Sequence, residues 1–566
     1  MPAMSLWSSP AARLVDRLLH ERLVTRIWNR DPLAWGAAAG SADERSIRTR
    51  LGWLDVAETM ASGVPRARKL AQEIAAEEFE TVYLIGMGGS SLCAEVLRAV
   101  CGIADGHPQL HVLDTTDEKT IATAAARMDP ARTLFVVSSK SGGTVEVASL
   151  ERFFWARMIE AEGSAAGRHF VAITDPGTAL QALAELKRYR DVFLNPADIG
   201  GRFSALSLFG LVPAALIGAN PGDLLAAGAA MAEGCRQENH TNPGLTLGAF
   251  IGATVLEGRD KLTLVLPPSL ASLGLWVEQL VAESTGKHGK GALPVVDEPL
   301  GRPDDYGNDR AFVAITTDRD APDEARIAAL EAAGHPVLRL STRIDGPSRH
   351  GRGAGLGSEF FRWEFATAVA GAALGINPFD EPNVAEAKEK TKALLSTYSS
   401  AGRLPESAAA AESGGISAHS PTFAGSTPAE VVRAALESLR AGDYVAFLSY
   451  LPATNDVDVA IAEIREAIRA RHHVASTFGV GPRYLHSTGQ YHKGGPNTAL
   501  AFVVTTVDDT STDIPDAGYS FAILKQAQAL GDAETLAAHN RRVVRLHLGA
   551  GTTLNALQDV FAEALR

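Results

Sequence analysis

The chain has 566 residues, of which 46% are hydrophobic and 21% charged, and its formal net charge is −13. At roughly 150 residues per domain, this length predicts three or four domains. The composition excludes a disordered chain, a collagen-like repeat and a disulfide scaffold. Because the net charge gives no general attraction for nucleic acid or anionic lipid, an anionic ligand has to be bound by local groups.

Cysteine usage and hydropathy predict a soluble cytoplasmic protein. Cys93, Cys101 and Cys235 are too few for a metal cluster and odd in number for a full disulfide set, which favours a reducing compartment. The N-terminus lacks the apolar core of a signal peptide, and the apolar stretch 203–220 is too interrupted to span a membrane. No His, Cys or carboxylate residues have metal-ligand spacing, so we expect neither a metal nor another cofactor.

The first part of the chain predicts a doubly wound sheet. Helical spacing over residues 10–29 predicts an amphipathic helix. From about residue 80, apolar strands that end in turn residues alternate with helical patterns such as 144–161. Such alternation is typical of a parallel sheet covered on both faces. The predicted strand segments are 81–91, 110–116, 133–143, 169–177 and 192–201.

A second α/β unit is predicted from near residue 245, and a third follows an Ala-, Ser-, Gly- and Pro-rich stretch that is typical of a linker. Residues 441–452 repeat the pattern of 258–268, and 481–509 repeat that of 292–320, so the third unit is interpreted as a degenerate copy of the second. A chance likeness between two α/β units is the alternative. The predicted divisions are a helical extension at 1–49, α/β units at 50–220 and 221–405, a linker at 406–426 and a third unit at 427–566.

Two turns at strand ends are candidate anion sites. Residues 86–91 (GMGGSS) follow a strand and open a helix, where glycines allow backbone amides to face an anion. Residues 138–144 (SSKSGGT) add hydroxyls and Lys140 at another helix start. The alternatives are a plain strand–helix connection for the first and a simple capping turn for the second.

These turns resemble those of the sugar isomerase (SIS) domain, and further motifs narrow the likeness to the phosphoglucose isomerase family. More narrowly, the chain is similar to the isomerase half of bifunctional transaldolase/phosphoglucose isomerase proteins, with the transaldolase half expected to be absent. The motifs follow the family order over residues 80–392, with Thr285 where Asn is usual and with Glu381 and Pro382 in place of a Gln–aromatic pair. The further motifs are IGGRFS at 199–204, QLVAESTGK at 279–287 and NPFD at 377–380 leading to Lys388.

The resemblance implies three tandem SIS-type α/β units and a glucose-6-phosphate isomerase, an enzyme of glycolysis and gluconeogenesis. An aldose–ketose conversion moves a proton between adjacent carbons through an enediolate. The resemblance makes Glu283 the base, Arg202 the cation that stabilises the enediolate, and Lys388 a ring-opening residue. Each of these three residues could instead be an ordinary surface or ion-pairing residue. Lys287 is expected to be a further local cation. The expected substrate-binding residues are Gly89, Ser90, Ser139, Lys140, Ser141, Thr144, Gly201 and Gln279.

The ring-opening histidine is missing from its usual place, because residues 298–309 contain none. Members of the family are dimers in which the partner subunit supplies this histidine. We expect the third unit to replace the partner and to supply His492 in cis, with His486 and His288 as further candidates. The alternatives are that these are plain loop histidines and that the chain forms a homodimer.

Other functions are open at this point. The chain could act on another hexose phosphate such as mannose 6-phosphate. It could be a sugar-phosphate sensor without catalysis, although a sensor needs neither Glu283 nor Arg202. The third unit could also be an interaction module whose removal leaves activity intact.

Overall fold

Three β-sheets organise the chain in the computed structural model. The structure describes residues 10–346, 351–405, 407–508 and 510–566. The α/β architecture expected from the alternating patterns is confirmed. Residues 1–9 of the predicted N-terminal extension and Glu406 of the predicted linker lie outside the described residues.

A group of short helices precedes the first strand. The single helix predicted over 10–29 is two helices, because Arg22 adopts a left-handed conformation with φ 53° between them. Ser41 and Asp31 each cap a following turn with a side-chain oxygen. The helices are α1 (Pro10–His20), α2 (Leu23–Trp28), α3 (Ala42–Arg48), α4 (Val56–Thr59) and α5 (Val64–Ala76).

The first sheet has the strand order β2-β1-β3-β4-β5, and all its pairings are parallel. All five predicted strands are present, since their apolar runs fill a sheet buried on both faces. The elements are β1 (Thr81–Ile85), α6 (Leu92–Cys101), β2 (Gln109–Leu113), α7 (Glu118–Arg127), β3 (Thr133–Ser138), α8 (Val145–Glu162), β4 (Phe170–Thr174), α9 (Ala179–Leu186) and β5 (Asp191–Leu194).

The second sheet is a parallel four-stranded sheet of order β7-β6-β8-β9, accompanied by a thick layer of helices. Its elements are α10 (Leu208–Leu216), α11 (Pro221–Cys235), α12 (Pro243–Leu256), β6 (Lys261–Val265), α13 (Leu273–Thr285), β7 (Leu293–Val295), β8 (Arg310–Thr316), α14 (Glu324–Ala332), β9 (Val337–Ser341), α15 (Leu356–Leu374) and α16 (Val384–Ala401). Helices α11, α12 and α15 pack on one another, and α1 lies against α12.

The third sheet repeats the second and extends it. Its strands β13-β12-β14-β15 have the order of β7-β6-β8-β9, and two antiparallel strands are added at the edge. These two strands lie in the stretch 406–426, so the expectation of a linker there is wrong. The elements are β10 (Ala411–Ser413), β11 (Ile416–His419), α17 (Pro428–Glu437), β12 (Tyr444–Ser449), α18 (Asn455–His472), β13 (Ala475–Val480), α19 (Gly489–Gly494), β14 (Ala499–Thr506), α20 (Phe521–Ala538), β15 (Arg542–Leu548) and α21 (Leu554–Ala564).

Apolar packing joins the three units. One buried cluster runs from Leu14 of α1 through the first unit to Phe379 before α16. Another combines the face of the first sheet and α8 with Phe521 and Leu524 of α20. Across the described ranges, no helix is both long and apolar enough to cross a membrane. The units therefore meet along buried surfaces, and the candidate site lies where they meet.

Candidate active site

The glycine turn after β1 is a point at which the three units come into close contact. Gly88 has φ +54°, and a Cβ there would lie 2.7 Å from the carbonyl oxygen of His486 and 2.8 Å from Nε2 of Gln279. A Cβ on Gly89 would overlap the backbone of Gly201. These glycines are thus required for close approach between protein segments. Ser90, in the same turn, is buried and its carbonyl accepts a hydrogen bond of 2.7 Å from Ser138 Oγ.

The hydroxyl-rich loop 138–144 lies at the N-terminus of α8, beside the glycine turn. Ser139 Oγ is 3.4 Å from Thr144 Oγ1 and accepts a bond of 3.2 Å from the Gly142 amide. Ser141 Oγ accepts a bond of 3.3 Å from the Gly143 amide. Hydroxyls and amides at the start of an 18-residue helix form a suitable anion site.

Lys140 is bonded to groups outside this loop. Its Nζ pairs with Asp175 at the end of β4 and donates a bond of 3.1 Å to the Ala197 carbonyl. Burial raises the pKa of Asp175, and the Lys140 ammonium opposes that rise. The Lys140 charge is therefore shared with a carboxylate beside the loop.

Glu283 is a buried carboxylate on α13, with its side chain 10% exposed. Its Oε2 accepts a bond of 3.0 Å from Nε2 of Gln279, one turn earlier, and its Oε1 lies 3.3 Å from Nη1 of Arg202. Burial raises the pKa of Glu283, Arg202 opposes the rise, and the neighbouring Glu381 carboxylate adds to it. A carboxylate with a raised pKa and a fixed cation beside it is suited to general-base chemistry.

Arg202 is held by every nitrogen of its guanidinium. It lies in the 3-10 turn Gly201–Phe203, which begins at the second glycine of the Gly200–Gly201 pair. Nε donates to Ser284 Oγ at 2.7 Å, and Nη2 donates at 2.8 Å to the carbonyls of Pro378 and Asp380. Nη1 faces Glu283 and Glu381. The orientation of the cation is therefore fixed before any ligand binds.

Glu381 and Arg50 complete this charged cluster, and the sequence motifs did not single out either as a site residue. Oε2 of Glu381 accepts a bond of 3.0 Å from Arg202 Nη1 and lies 3.6 Å from Arg50 Nη1. Burial works against ionisation of Glu381, but Arg202 and Arg50 outweigh it and hold its pKa below the usual range. Their proximity arises from contacts between distant segments, and no local pattern signals it.

Lys287 supports the same region from within the protein. Its Nζ is 2.7 Å from Asp380 Oδ1 and donates to the Asn377 carbonyl at 2.6 Å. Burial lowers the pKa of Lys287 to about 8. The expectation of a local cation is met in position, but the charge of Lys287 is directed to Asp380.

His486 is the histidine that the structure brings to the site. It ends the 3-10 turn Arg483–His486 of the third unit. Its carbonyl accepts a bond of 2.8 Å from Gln279, and its Nε2 is 3.0 Å from Glu146 Oε1 on the first turn of α8. Burial disfavours ionisation of Glu146, yet His486 and, more weakly, Lys388 hold its pKa below the usual range. Lys388 is exposed on the first turns of α16.

The structure does not bring His492 to the site. Its Nδ1 is bonded at 2.7 Å to the Tyr444 hydroxyl inside the third unit, and its side chain is buried. Burial, together with Lys493 and Arg541, lowers the pKa of His492 to about 3. The preference for His492 over His486 as the residue at the site is therefore wrong in this structure. His288 is exposed beside the base motif.

Within the described part of the chain, no group of three or more His, Cys, Asp or Glu side chains is arranged to hold a metal ion. The site is instead a set of ion pairs and hydrogen bonds among side chains of all three units. A network leads from Glu146 through His486 and Gln279 to Glu283. Such an arrangement can bind an anionic sugar derivative and move protons on it.

Comparison with known proteins identifies the family of this chain. The family model described as phosphoglucose isomerase matches residues 57–300. The glucose-6-phosphate isomerase of Rubrobacter xylanophilus is 30% identical over 391 residues, which cover 59% of this chain and 88% of that protein. The enzyme of the same name from Carboxydothermus hydrogenoformans is 27% identical over 420 residues, with 63% and 88% covered.

Solved structures show the same fold. A hypothetical protein of Thermus thermophilus matches with a TM-score of 0.58 and 24% identity, over 68% of this chain and 96% of that chain. A glucose-6-phosphate isomerase of Chlamydia trachomatis matches with a TM-score of 0.53 and 19% identity, over 69% and 86%. From the sequence relatives and the family model, this chain belongs to the phosphoglucose isomerase family.

Proposed function

We propose that the chain interconverts glucose 6-phosphate and fructose 6-phosphate, as a metal-independent aldose–ketose isomerase of glycolysis and gluconeogenesis. The observation that carries this proposal is the contact of 3.3 Å between Glu283 Oε1 and Arg202 Nη1. Glu283 takes the proton from carbon 2 and returns it to carbon 1, while Arg202 stabilises the enediolate oxygen that forms between the two steps.

The phosphate group binds at the N-terminus of α8. Ser139, Ser141 and Thr144 supply hydroxyls there, and the helix end favours a negative charge. The Lys140 ammonium is paired with Asp175, so it neutralises only part of the phosphate charge. Ser90, Gly89 and Gly201 form the neighbouring wall, in which the backbone of Gly89 packs against that of Gly201.

His486 and Lys388 open the sugar ring before isomerisation. His486 is oriented by Glu146, and Lys388 contributes positive charge to the same carboxylate. A histidine fixed by a carboxylate can move a proton between the ring oxygen and the anomeric hydroxyl. Gln279 holds both the His486 carbonyl and Glu283, so it couples the ring-opening and proton-transfer sides of the site.

The third unit takes the place that a partner subunit occupies in dimeric members of the family. Its contribution of His486 within the same chain supports a complete site in a monomer. The three buried free cysteines support a reducing, cytoplasmic location. A sensor without catalysis is not favoured, because binding alone has no use for a buried base beside a fixed guanidinium.

A coupled assay of fructose 6-phosphate conversion tests the proposal. The wild-type chain is expected to turn over, and Glu283→Gln is expected to lose about 10²–10⁴-fold in kcat, because the amide cannot accept the carbon-bound proton. Glu278→Gln, on the same helix, is the matched control. Absence of turnover in the wild type, or full turnover in Glu283→Gln, would contradict the proposal.

A further inference from the structure

Glu381 is a second carboxylate at the reacting end of the site, and the transfer of the carbon-bound proton does not use it. It lies between α15 and α16. Its Oε2 is 3.0 Å from Nη1 of Arg202 and 3.6 Å from Nη1 of Arg50. Arg50 itself donates a bond of 3.2 Å to the Phe379 carbonyl. Glu381 is therefore held in position by two guanidinium groups.

The two glutamates share one nitrogen atom. Nη1 of Arg202 is 3.3 Å from Glu283 Oε1 and 3.0 Å from Glu381 Oε2. An enediolate oxygen bound to this guanidinium is therefore next to both carboxylates. The side chain of Glu381 is 33% exposed, compared with 10% for Glu283, so Glu381 is the more open of the two toward an incoming ligand.

Their surroundings favour different protonation states. Burial raises the pKa of Glu283, whereas Arg202 and Arg50 overcome burial and lower the pKa of Glu381. Neighbouring carboxylates whose pKa values are pushed apart are typical of sites in which the two have separate acid–base roles. The charged groups that face Glu381 are Arg202, Arg50, Lys287 and Glu283.

The isomerisation has a second proton to move. When the carbon-2 proton passes to the base, an electron pair forms the C1=C2 bond and the carbonyl pair moves onto O1. For the ketose to form, O1 has to gain a proton and the O2 hydroxyl has to lose one. Glu283 carries the carbon-bound proton during this interval, so a neighbouring carboxylate is free to carry the hydroxyl proton.

Building on the proposed isomerase function, we propose that Glu381 carries the hydroxyl proton between O2 and O1 of the enediolate. Its carboxylate accepts the proton of the O2 hydroxyl and passes it to O1. The electron pair left on O2 then forms the C2=O2 bond as carbon 1 takes the proton from Glu283. Glu381 begins and ends the cycle ionised, so atoms and electrons balance without another reactant.

The test uses glucose 6-phosphate carrying deuterium at carbon 2 and the full chain with Glu381→Gln. Ketose formation is expected to fall by about tenfold or more. Loss of deuterium from the recovered glucose 6-phosphate continues, because Glu283 still removes the deuteron, exchanges it for a proton of water and returns that proton to carbon 2. The ratio of deuterium loss to ketose formation therefore rises by about tenfold or more.

A role in merely positioning Arg202 would lower both rates by the same factor, and an equal fall or no change would overturn the proposal. Glu381→Asp keeps a shorter carboxylate, and its ratio is expected between those of the wild type and the Gln variant. It provides the same readout if Glu381→Gln does not fold. Failure of the wild type to convert glucose 6-phosphate would overturn the proposed function itself. If the wild type turns over and the ratio of deuterium loss to ketose formation is unchanged in both variants, only the role of Glu381 is overturned.

Discussion

Nε2 of His486 in the third unit lies 3.0 Å from Oε1 of Glu146 in the first unit, 340 residues away in sequence. The same carboxylate oxygen accepts a bond of 2.7 Å from Gln528, whose own Oε1 accepts one of 2.9 Å from Thr116. Because Gln528 fixes this buried carboxylate, the carboxylate in turn holds the His486 imidazole in one orientation. The third unit is thus joined to the first by a network that ends at the candidate ring-opening group.

Replacing His486 by Ala is expected to separate ring opening from isomerisation. With cyclic glucose 6-phosphate, kcat/KM should fall by about 10²-fold or more, because proton transfer to the ring oxygen is lost. With substrate supplied in the open-chain form, kcat/KM should change much less, since Glu283 and Arg202 remain. Stopped-flow assays that begin with each form provide the comparison.

His288→Asn is the control, because His288 is exposed and Asn tolerates its left-handed φ of 54°. We expect both forms of the substrate to be converted normally by this variant. Equal losses on the two forms in His486→Ala, or none, would remove His486 from ring opening.

Arg483 and Asp114 are expected to position His486. Arg483 begins the 3-10 turn that ends at His486. Its Nε and Nη2 are 2.7 and 2.8 Å from the two carboxylate oxygens of Asp114. Arg483→Gln and Asp114→Asn should each lower kcat/KM on the cyclic substrate. The fold-loss in kcat/KM of the double variant should be smaller than the product of the two single fold-losses, which corresponds to a coupling energy of about 0.5–3 kcal/mol. Strictly additive losses would show that the pair does not act through the turn that carries His486.

Arg202→Lys is expected to lower kcat by about 10²–10³-fold with a smaller change in KM. A lysine keeps the charge but cannot make the separate bonds to Ser284, Pro378 and Asp380 that fix the guanidinium. Arg66→Lys, at an exposed pair with Asp191, is the matched control and should leave kcat unchanged. A kcat close to wild type in Arg202→Lys would mean that charge alone, without orientation, is sufficient.

His492 is expected to make the fold sensitive to acid. Its pKa is lowered to about 3 in the folded chain, against about 6.5 when unfolded, so the unfolded state binds a proton that the folded state excludes. The contribution of His492 to stability is complete above pH ~6.5 and declines by up to ~1.4 kcal/mol per pH unit as the pH falls toward ~3.

Urea unfolding monitored by tryptophan fluorescence between pH 7 and pH 5 measures this slope. His492→Asn, in which the amide replaces the Nδ1 contact with Tyr444, should show a shallower dependence of the unfolding free energy on pH. Identical slopes for the wild type and His492→Asn would contradict the burial of a neutral imidazole.

Local patterns were sufficient for the parts of the fold in which a single segment determines its own structure. The strands β1 to β5 are apolar runs that end in turn residues, and each lies where the pattern predicts it. The prediction of a linker over 406–426 is wrong because β10 and β11 are short and rich in Ala and Ser. The pairing of β10 with β11 and of β11 with β15 gives no local periodicity. The break at Arg22 likewise depends on one left-handed residue inside an otherwise regular helical pattern.

In the candidate site too, local motifs predict some residues, whereas others depend on contacts between distant segments. Glu283, Arg202 and Gln279 lie in motifs, and the structure brings them together. His492 and His486 are six residues apart in the segment between β13 and β14, and sequence spacing does not tell which of them faces Glu146 and which faces Tyr444. Glu381, Arg50, Glu146 and Gln528 become site residues only through contacts between segments more than one hundred residues apart.

The central claim is that one chain contains a complete site, with the base in the second unit and the ring-opening histidine in the third. The most direct test mixes Glu283→Gln with His486→Ala, co-refolded in equal amounts, and measures conversion of cyclic glucose 6-phosphate. We predict no more activity than the sum of the two variants assayed alone, because each chain carries one defective site. Recovery toward about a quarter of the wild-type rate, as expected if symmetric dimers exchanged their third units, would contradict the claim.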